Sequence, residues 1–370
     1  MQTTQLKVPY VDLGGQNKVI RDELLEAVGE VLDSGMFILG DQVAELEARL
    51  AEICGVKHVI AVGNGTDALL LPMRGLGIGA GDEVIVPPNS YLASASSVAL
   101  AGATPVFVDV ANDYNIDPDK IEAAITPRTK AIMAVHLTGR PAQMSRILDI
   151  AYRHGLHVIE DAAQAIGATY QGRPVGSFGT FGGFSLHPLK NLSAAGDAGF
   201  ITTQDDTLAT YLRKARTHGH VTRDTCAFWS LNSRLDTIQA AMLLVKLRYF
   251  NGWTSRRRDI AAMYKSRLSG YVWTPKDQPG EKGVYHTFII QTDRRDALKQ
   301  WLADKGVDTK IHYPIPIHLQ EAAAYLGYKK GDFPVTERHT ETMLSLPVFP
   351  ELTDEQIEYV CTCIESFFGQ

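Results

Sequence analysis

Leu156-His157-Val158-Ile159-Glu160-Asp161-Ala162-Ala163-Gln164 reads as an apolar strand that ends in an acid and is followed at once by small residues able to make a tight turn. It is the last of five such runs. Residues 59–62, 83–86, 105–108 and 131–135 repeat the pattern upstream, and helix-like stretches separate them at spacings of about one βα unit. The runs are nearly pure apolar, which suits strands covered on both faces in a mostly parallel sheet. Ligands of such open sheets bind beyond the carboxyl ends of the strands, so Asp161 projects toward a candidate site. Taken alone, Asp161 is better read as a helix-capping aspartate.

Outward from this block, helices are expected near residues 21–33 and 42–53, the second opened by Gly40-Asp41. Further strands follow at 181–186 and 199–203, then long helices around 235–250 and 255–268. From about Tyr271 the texture changes. A strand at 285–291, a helix at 294–305, a strand at 308–312 and a closing helix at 354–368 suggest a smaller α+β domain packed on the first. The expected division is residues 1–250 for a large α/β domain and 251–370 for a small one. The 370 residues suffice for two such units, at roughly 150 residues per typical domain.

Charge and composition exclude several classes. Lys plus Arg number 36 against 42 Asp plus Glu, a net charge of −6, and no basic face suited to a nucleic-acid backbone is visible beyond the short Arg256-Arg257-Arg258 run. The first ten residues lack the apolar core of a signal peptide, and no apolar run approaches the roughly 18 residues of a membrane span. Cys54, Cys226, Cys361 and Cys363 form neither a disulfide framework nor a zinc site, which fits a reducing cytoplasm.

Lys190 lies twenty-nine residues beyond Asp161 in Phe184-Ser185-Leu186-His187-Pro188-Leu189-Lys190-Asn191, which ends another apolar strand with a hydroxyl and a lysine five positions apart. A lysine after a strand, near a buried acid, suits a Schiff base with an aldehyde cofactor such as pyridoxal 5′-phosphate (PLP), whose ring nitrogen an aspartate holds protonated. Lys190 alone is more often a surface lysine; its pairing with Asp161 makes the hypothesis. Gly63-Asn64-Gly65-Thr66-Asp67-Ala68 offers a phosphate cup, a glycine turn running from a strand into a helix start, where free N–H groups favour an anion. Tyr91, after the next strand, could lay its ring against the cofactor or serve equally as a core aromatic.

With these residues in hand, the chain resembles the DegT/DnrJ/EryC1/StrS sugar aminotransferases of the aspartate-aminotransferase fold (fold type I), over essentially its whole length. The matching segments include Ser34-Gly35 with Leu39-Gly40, Asn64-Gly65-Thr66-Asp67-Ala68-Leu69 and Gly81-Asp82-Glu83-Val84-Ile85-Val86-Pro87. They continue through Glu160-Asp161-Ala162-Ala163-Gln164-Ala165, the Ser185/Lys190 segment, Asn232-Ser233-Arg234-Leu235-Asp236-Thr237-Ile238-Gln239-Ala240-Ala241, and Leu346-Pro347. The resemblance implies that Lys190 holds PLP covalently and shuttles a proton, that Asp161 pairs with the pyridine nitrogen, that Gln164 donates to the phenolic oxygen and that Tyr91 stacks on the ring. It assigns Gly65, Thr66 and Ser185 to the phosphate, with Asn232 reaching it from the neighbouring subunit of a homodimer. It further implies an amino-acid donor, usually glutamate, a pyridoxamine phosphate form of the cofactor, and a nucleotide-linked keto-sugar acceptor. The Lys190-Asn191-Leu192 run with Gly196-Asp197 resembles members acting at C3 of the hexose.

Histidines cluster in the second domain, at His286, His312 and His318, but two histidines six apart across two prolines share no helix face and make a poor metal site. The resemblance places these segments around the sugar nucleotide, with His286, Tyr313 and His318 as substrate contacts and loop packing as the plainer alternative. Ser193 and Ala198 stand where many family members have glycine. A sugar dehydratase of the same family would carry histidine in place of Lys190. A 4-keto sugar or a cyclitol ketone remains an alternative acceptor, and a non-enzymatic regulator would require a DNA-binding surface or a lost cofactor site.

Overall fold

The computed structural model describes residues 7–369. Seven strands form the central sheet: β1 (His58–Val62), β2 (Glu83–Val86), β3 (Thr104–Phe107), β4 (Thr129–Val135), β5 (His157–Asp161), β6 (Phe181–Ser185) and β7 (Gly199–Thr203). Their order is β1-β7-β6-β5-β4-β2-β3. Neighbours are parallel from β3 across to β6, and β7 runs antiparallel to both β6 and β1. The apolar runs are explained by cover on both faces. Along β4, Ala131, Met133 and Val135 join one core while Ile132 and Ala134 join another on the opposite face.

Beyond the sheet, Phe288–Gln291 and Met343–Leu346 pair antiparallel, and the helices Arg295–Asp304 and Asp354–Phe368 pack with them around a second core. Val8 belongs to this second core, bridged to Val307.

Three sequence expectations differ from the structure. The helices expected at 235–250 and 255–268 are one helix, Thr237–Leu268, of 32 residues. Gly252 does not interrupt it, because the helix is held at both ends: Ala240, Leu243 and Phe250 pack in a core under the sheet, and Ile260, Ala261, Tyr264 and Leu268 in the second core. The expected boundary between residues 250 and 251 therefore falls inside a continuous helix. The strand expected at 285–291 starts only at Phe288, because Tyr285 sits at φ +47° and leaves the extended region. The strand expected at 308–312 is reduced to a single bridge between Lys310 and Ser345, since Pro314 and Pro316 follow with no N–H to extend a ladder. No helix among the described residues is long and apolar enough to cross a membrane.

Candidate active site

Two successive acids end β5, and strand alternation sends them to opposite faces. Glu160 is wholly buried and structural: Phe178 and Gly179 donate their N–H groups to its Oε1, and Gly176 donates to its Oε2. His136 adds a fourth bond, at 3.0 Å. The Ala142 N–H donates to His136 Nδ1, so the ring proton sits on Nε2 and points at Glu160. Asp161 is also buried, but differently provided for. Its Oδ2 accepts from Ser94 Oγ at 2.6 Å and its Oδ1 from the Ala163 N–H at 3.2 Å. Among the described residues no lysine, arginine or histidine lies within 4.0 Å of this carboxylate. A buried carboxylate with neutral donors and lone pairs to spare is suited to receiving a cation.

Lys190 follows β6 in a compact turn in which its own N–H donates to His187 O and the Ala194 N–H donates to Leu186 O. The buried Lys246 of the long helix donates to Ser193 O at 2.8 Å and braces the turn from beneath. Asn191 reaches the segment before the Phe288–Gln291 strand, donating to Val284 O at 3.0 Å and lying 3.3 Å from His286 Nδ1. The Lys190 side chain is half-buried. Desolvation pulls its ammonium down to about 8, and the Asp161 carboxylate pulls the other way. Desolvation, reinforced by the Lys190 charge, holds His286 well below its ordinary range and brings His312 down to about 4. Lys190 thus lies among Asp161 and the two neutral imidazoles of His286 and His312.

The glycine turn after β1 opens the helix Gly65–Gly75, capped by Asn64, whose side chain accepts from the Asp67 N–H. The first two N–H groups of that helix, on Gly65 and Thr66, have no intrahelical acceptor. Asp67 in turn accepts from Ser233 Oγ at 2.6 Å, and the Gly63 N–H donates to the same hydroxyl at 3.0 Å. A Cβ on Gly65 would lie 2.8 Å from Ser185 Cβ, so the turn presses directly on the end of β6 and only glycine fits. The structure therefore brings Gly65, Thr66 and Ser185 together. Asn232, one residue before Ser233, is exposed in this chain.

Gln164 accepts from the Thr138 N–H through Oε1 at 2.8 Å and donates through Nε2 to the Tyr313 hydroxyl at 3.2 Å. The Tyr313 ring lies 5.8 Å from that of Tyr91, which is 57% exposed. Gln164, Tyr313 and Tyr91 therefore form one wall, and burial with the nearby Asp161 pushes the Tyr313 phenol upward. His318 stands apart. It is buried edge-on to Phe333, 3.2 Å from Glu337, and its charged neighbours are Glu337, Asp332 and Asp109. The ring fills a packing site between Phe333 and Glu337. Sequence reasoning missed Ser90 and Ser94, whose spacing of four at a helix start was a usable signal, and it singled out His312 only as part of a histidine cluster.

The DegT/DnrJ/EryC1/StrS aminotransferase family matches residues 18–365. This chain belongs to that family. It is 45% identical to a "Pleiotropic regulatory protein" of Geobacillus stearothermophilus, over 98% of this chain and 99% of the relative. It is 46% identical to a UDP-N-acetyl-3-dehydro-alpha-D-glucosamine 3-aminotransferase of Acidithiobacillus ferrooxidans, over 98% of each. The crystal structure of S. venezuelae DesV superposes with a TM-score of 0.97 at 42% identity, covering 99% of this chain and all of that one. Other structures of similar fold were solved with pyridoxamine phosphate bound or in a PLP form. The fold type I architecture expected from the resemblance, α/β with a mostly parallel central sheet, is that of this family.

Proposed function

We propose that this DegT/DnrJ/EryC1/StrS family member moves an amino group from an amino acid, glutamate by preference, to a nucleotide-linked 3-keto-hexose, using PLP in the cytoplasm as a homodimer. One observation carries the reading: the desolvated Lys190 amine faces the buried Asp161 carboxylate, which among the described residues has no lysine, arginine or histidine within 4.0 Å. PLP bound there supplies an electron sink that makes the Cα–H of an attached amino acid acidic.

The residues of the chain divide the remaining work. Lys190 Nζ would hold the cofactor through its aldehyde and, placed beside the substrate carbon, would carry the proton there. Asp161 pairs with the ring nitrogen and keeps it protonated. Gly65 and Thr66 N–H groups with Ser185 bind the phosphate, at a helix start whose dipole favours an anion. Gln164 donates to the phenolic oxygen, and Tyr91 covers the ring face. His286 and Tyr313 contact the sugar, and neutral imidazoles can both accept from and donate to its hydroxyls. Asn232 serves the phosphate of a second copy. Three buried free cysteines accord with a reducing compartment.

The test incubates the pyridoxamine phosphate form with a panel of nucleotide-linked keto-sugars, follows return to the PLP form by absorbance, and reads the amine-bearing carbon by NMR. Amination at C3 is expected. Efficient amination of a 4-keto sugar with none at C3 would overturn the regiochemistry and leave the transaminase reading standing.

A further inference from the structure

We infer that Ser90 and Ser94 form a hydroxyl relay that positions the Asp161 carboxylate against the cofactor ring nitrogen, an inference that rests on the cofactor reading above. Ser94 Oγ donates to Asp161 Oδ2 at 2.6 Å, and Ser90 Oγ lies 2.6 Å from Ser94 Oγ. A hydroxyl carries one proton. Because Ser94 gives its proton to the carboxylate, its oxygen is left as an acceptor, and Ser90 supplies the second hydrogen. The chain therefore runs one way, from Ser90 through Ser94 to Asp161.

Burial makes this direction matter. Ser94 is 0% and Ser90 5% exposed, so bulk water does not replace a lost bond. Among the described residues the opposite oxygen, Oδ1, has only the longer 3.2 Å bond from the Ala163 N–H. Ser90 lies in the loop after β2 and Ser94 in the first turn of the helix Ala93–Ala101, so the relay fixes a carboxylate at the end of β5 from a different part of the fold. Charge-assisted hydrogen bonds of this length are roughly twice as strong as neutral ones, and removing one frees the carboxylate to turn away from the ring. Ser90 and Ser94 are positioning residues: they touch Asp161, directly or in series, and not the substrate.

The relay is tested on holoenzyme stripped of its cofactor and titrated with PLP labelled with ¹⁵N in the ring. The wild type is compared with Ser94→Ala, Ser94→Thr, Ser90→Ala, Asp161→Asn and the Ser94→Ala/Asp161→Asn double variant. Ser94→Ala is expected to weaken PLP binding about tenfold, to shift the ring-nitrogen resonance toward that of unprotonated pyridine, and to lower kcat with KM nearly unchanged. Ser94→Thr keeps the hydroxyl and recovers most of the loss. Ser90→Ala changes the same readouts in the same direction by less, and carries the test if thermal unfolding shows Ser94→Ala to be misfolded. On the Asp161→Asn background the Ser94 change adds nothing, because the group it acts through is gone. A Ser94→Ala protein with wild-type affinity and an unmoved resonance, or one losing the same factor on both backgrounds, overturns the relay alone. A wild type that fails to bind PLP overturns the cofactor reading, and the relay with it.

Discussion

Lys190 and Asp161 were legible as a pair, because Asp161 closes an apolar run at the carboxyl end of a sheet strand, where side chains meet ligands, and Lys190 follows the end of another by five residues. What the sequence could not show is the environment that makes them reactive. Desolvation holds the Lys190 amine near 8 against an ordinary 10.5. The sign follows from a depressed amine value: the penalty for burying the charged form is fully present below about pH 8 and is relieved as pH climbs toward 10.5. Capture of PLP by the cofactor-free protein, trapped with borohydride, should therefore quicken roughly tenfold per pH unit up to about pH 8 and then level off. A profile still climbing at pH 10 would show that the amine is not desolvated. Lys190→Ala should abolish transamination, by about 10⁴-fold or more, with the unfolding temperature little changed and the yellow colour lost. Asp161→Asn keeps the shape but removes the charge opposite the ring nitrogen, so kcat should fall by about 10²- to 10³-fold while phosphate contacts still retain the cofactor. An unchanged turnover number would reduce Asp161 to a cap.

At the level of elements, the strand ends of the large sheet followed from apolar runs bounded by turns, and the glycine turn after β1 followed from its composition. The long helix did not. Nothing local marks residues 235–268 as continuous, because continuity comes from two separate cores gripping its two ends. The contact between the Gly65 turn and β6 was equally out of reach, since it joins residues far apart in the chain. It has a direct consequence. A methyl group on Gly65 would meet Ser185 Cβ at 2.8 Å and its Cα at 3.3 Å, forcing the helix start off the strand end. Gly65→Ala should weaken PLP binding by about tenfold and cost about 1–3 kcal/mol in stability, measured by cofactor titration and denaturant unfolding. Gly199→Ala should be worse for the fold, because its Cβ would meet the Asn64 backbone at 2.5 Å, and backbone cannot swing aside as a side chain can. If Gly65→Ala bound PLP like the wild type, the phosphate would have to lie elsewhere.

At the scale of the whole molecule, several large apolar side chains lie exposed, some of them next in sequence to site residues. Tyr91 is 57%, Leu92 47% and Leu189 51% exposed, and Phe37 and Ile38, joined to residues 236–237 by backbone bonds, are 46% and 41% exposed. Large apolar side chains left exposed in number are a feature of interfaces. The proposed homodimer would cover these side chains, and the exposed Asn232 lies only a few residues from the backbone junction at Asp236. If the Asn232 side chain serves the partner's phosphate cup, each site takes Lys190 from one subunit and Asn232 from the other. Complementation then has a definite arithmetic. Mix inactive Lys190→Ala subunits with inactive Asn232→Ala subunits and allow exchange: half of the dimers are mixed, and in each of these one site has lost both groups while the other keeps both. About a quarter of the wild-type activity per subunit should return. If Asn232 acted within its own chain, every site in a mixed dimer would lack one group or the other, and nothing would return. Steady-state rates after demonstrated subunit exchange distinguish the two outcomes, and a recovery near zero would place Asn232 in its own subunit's site.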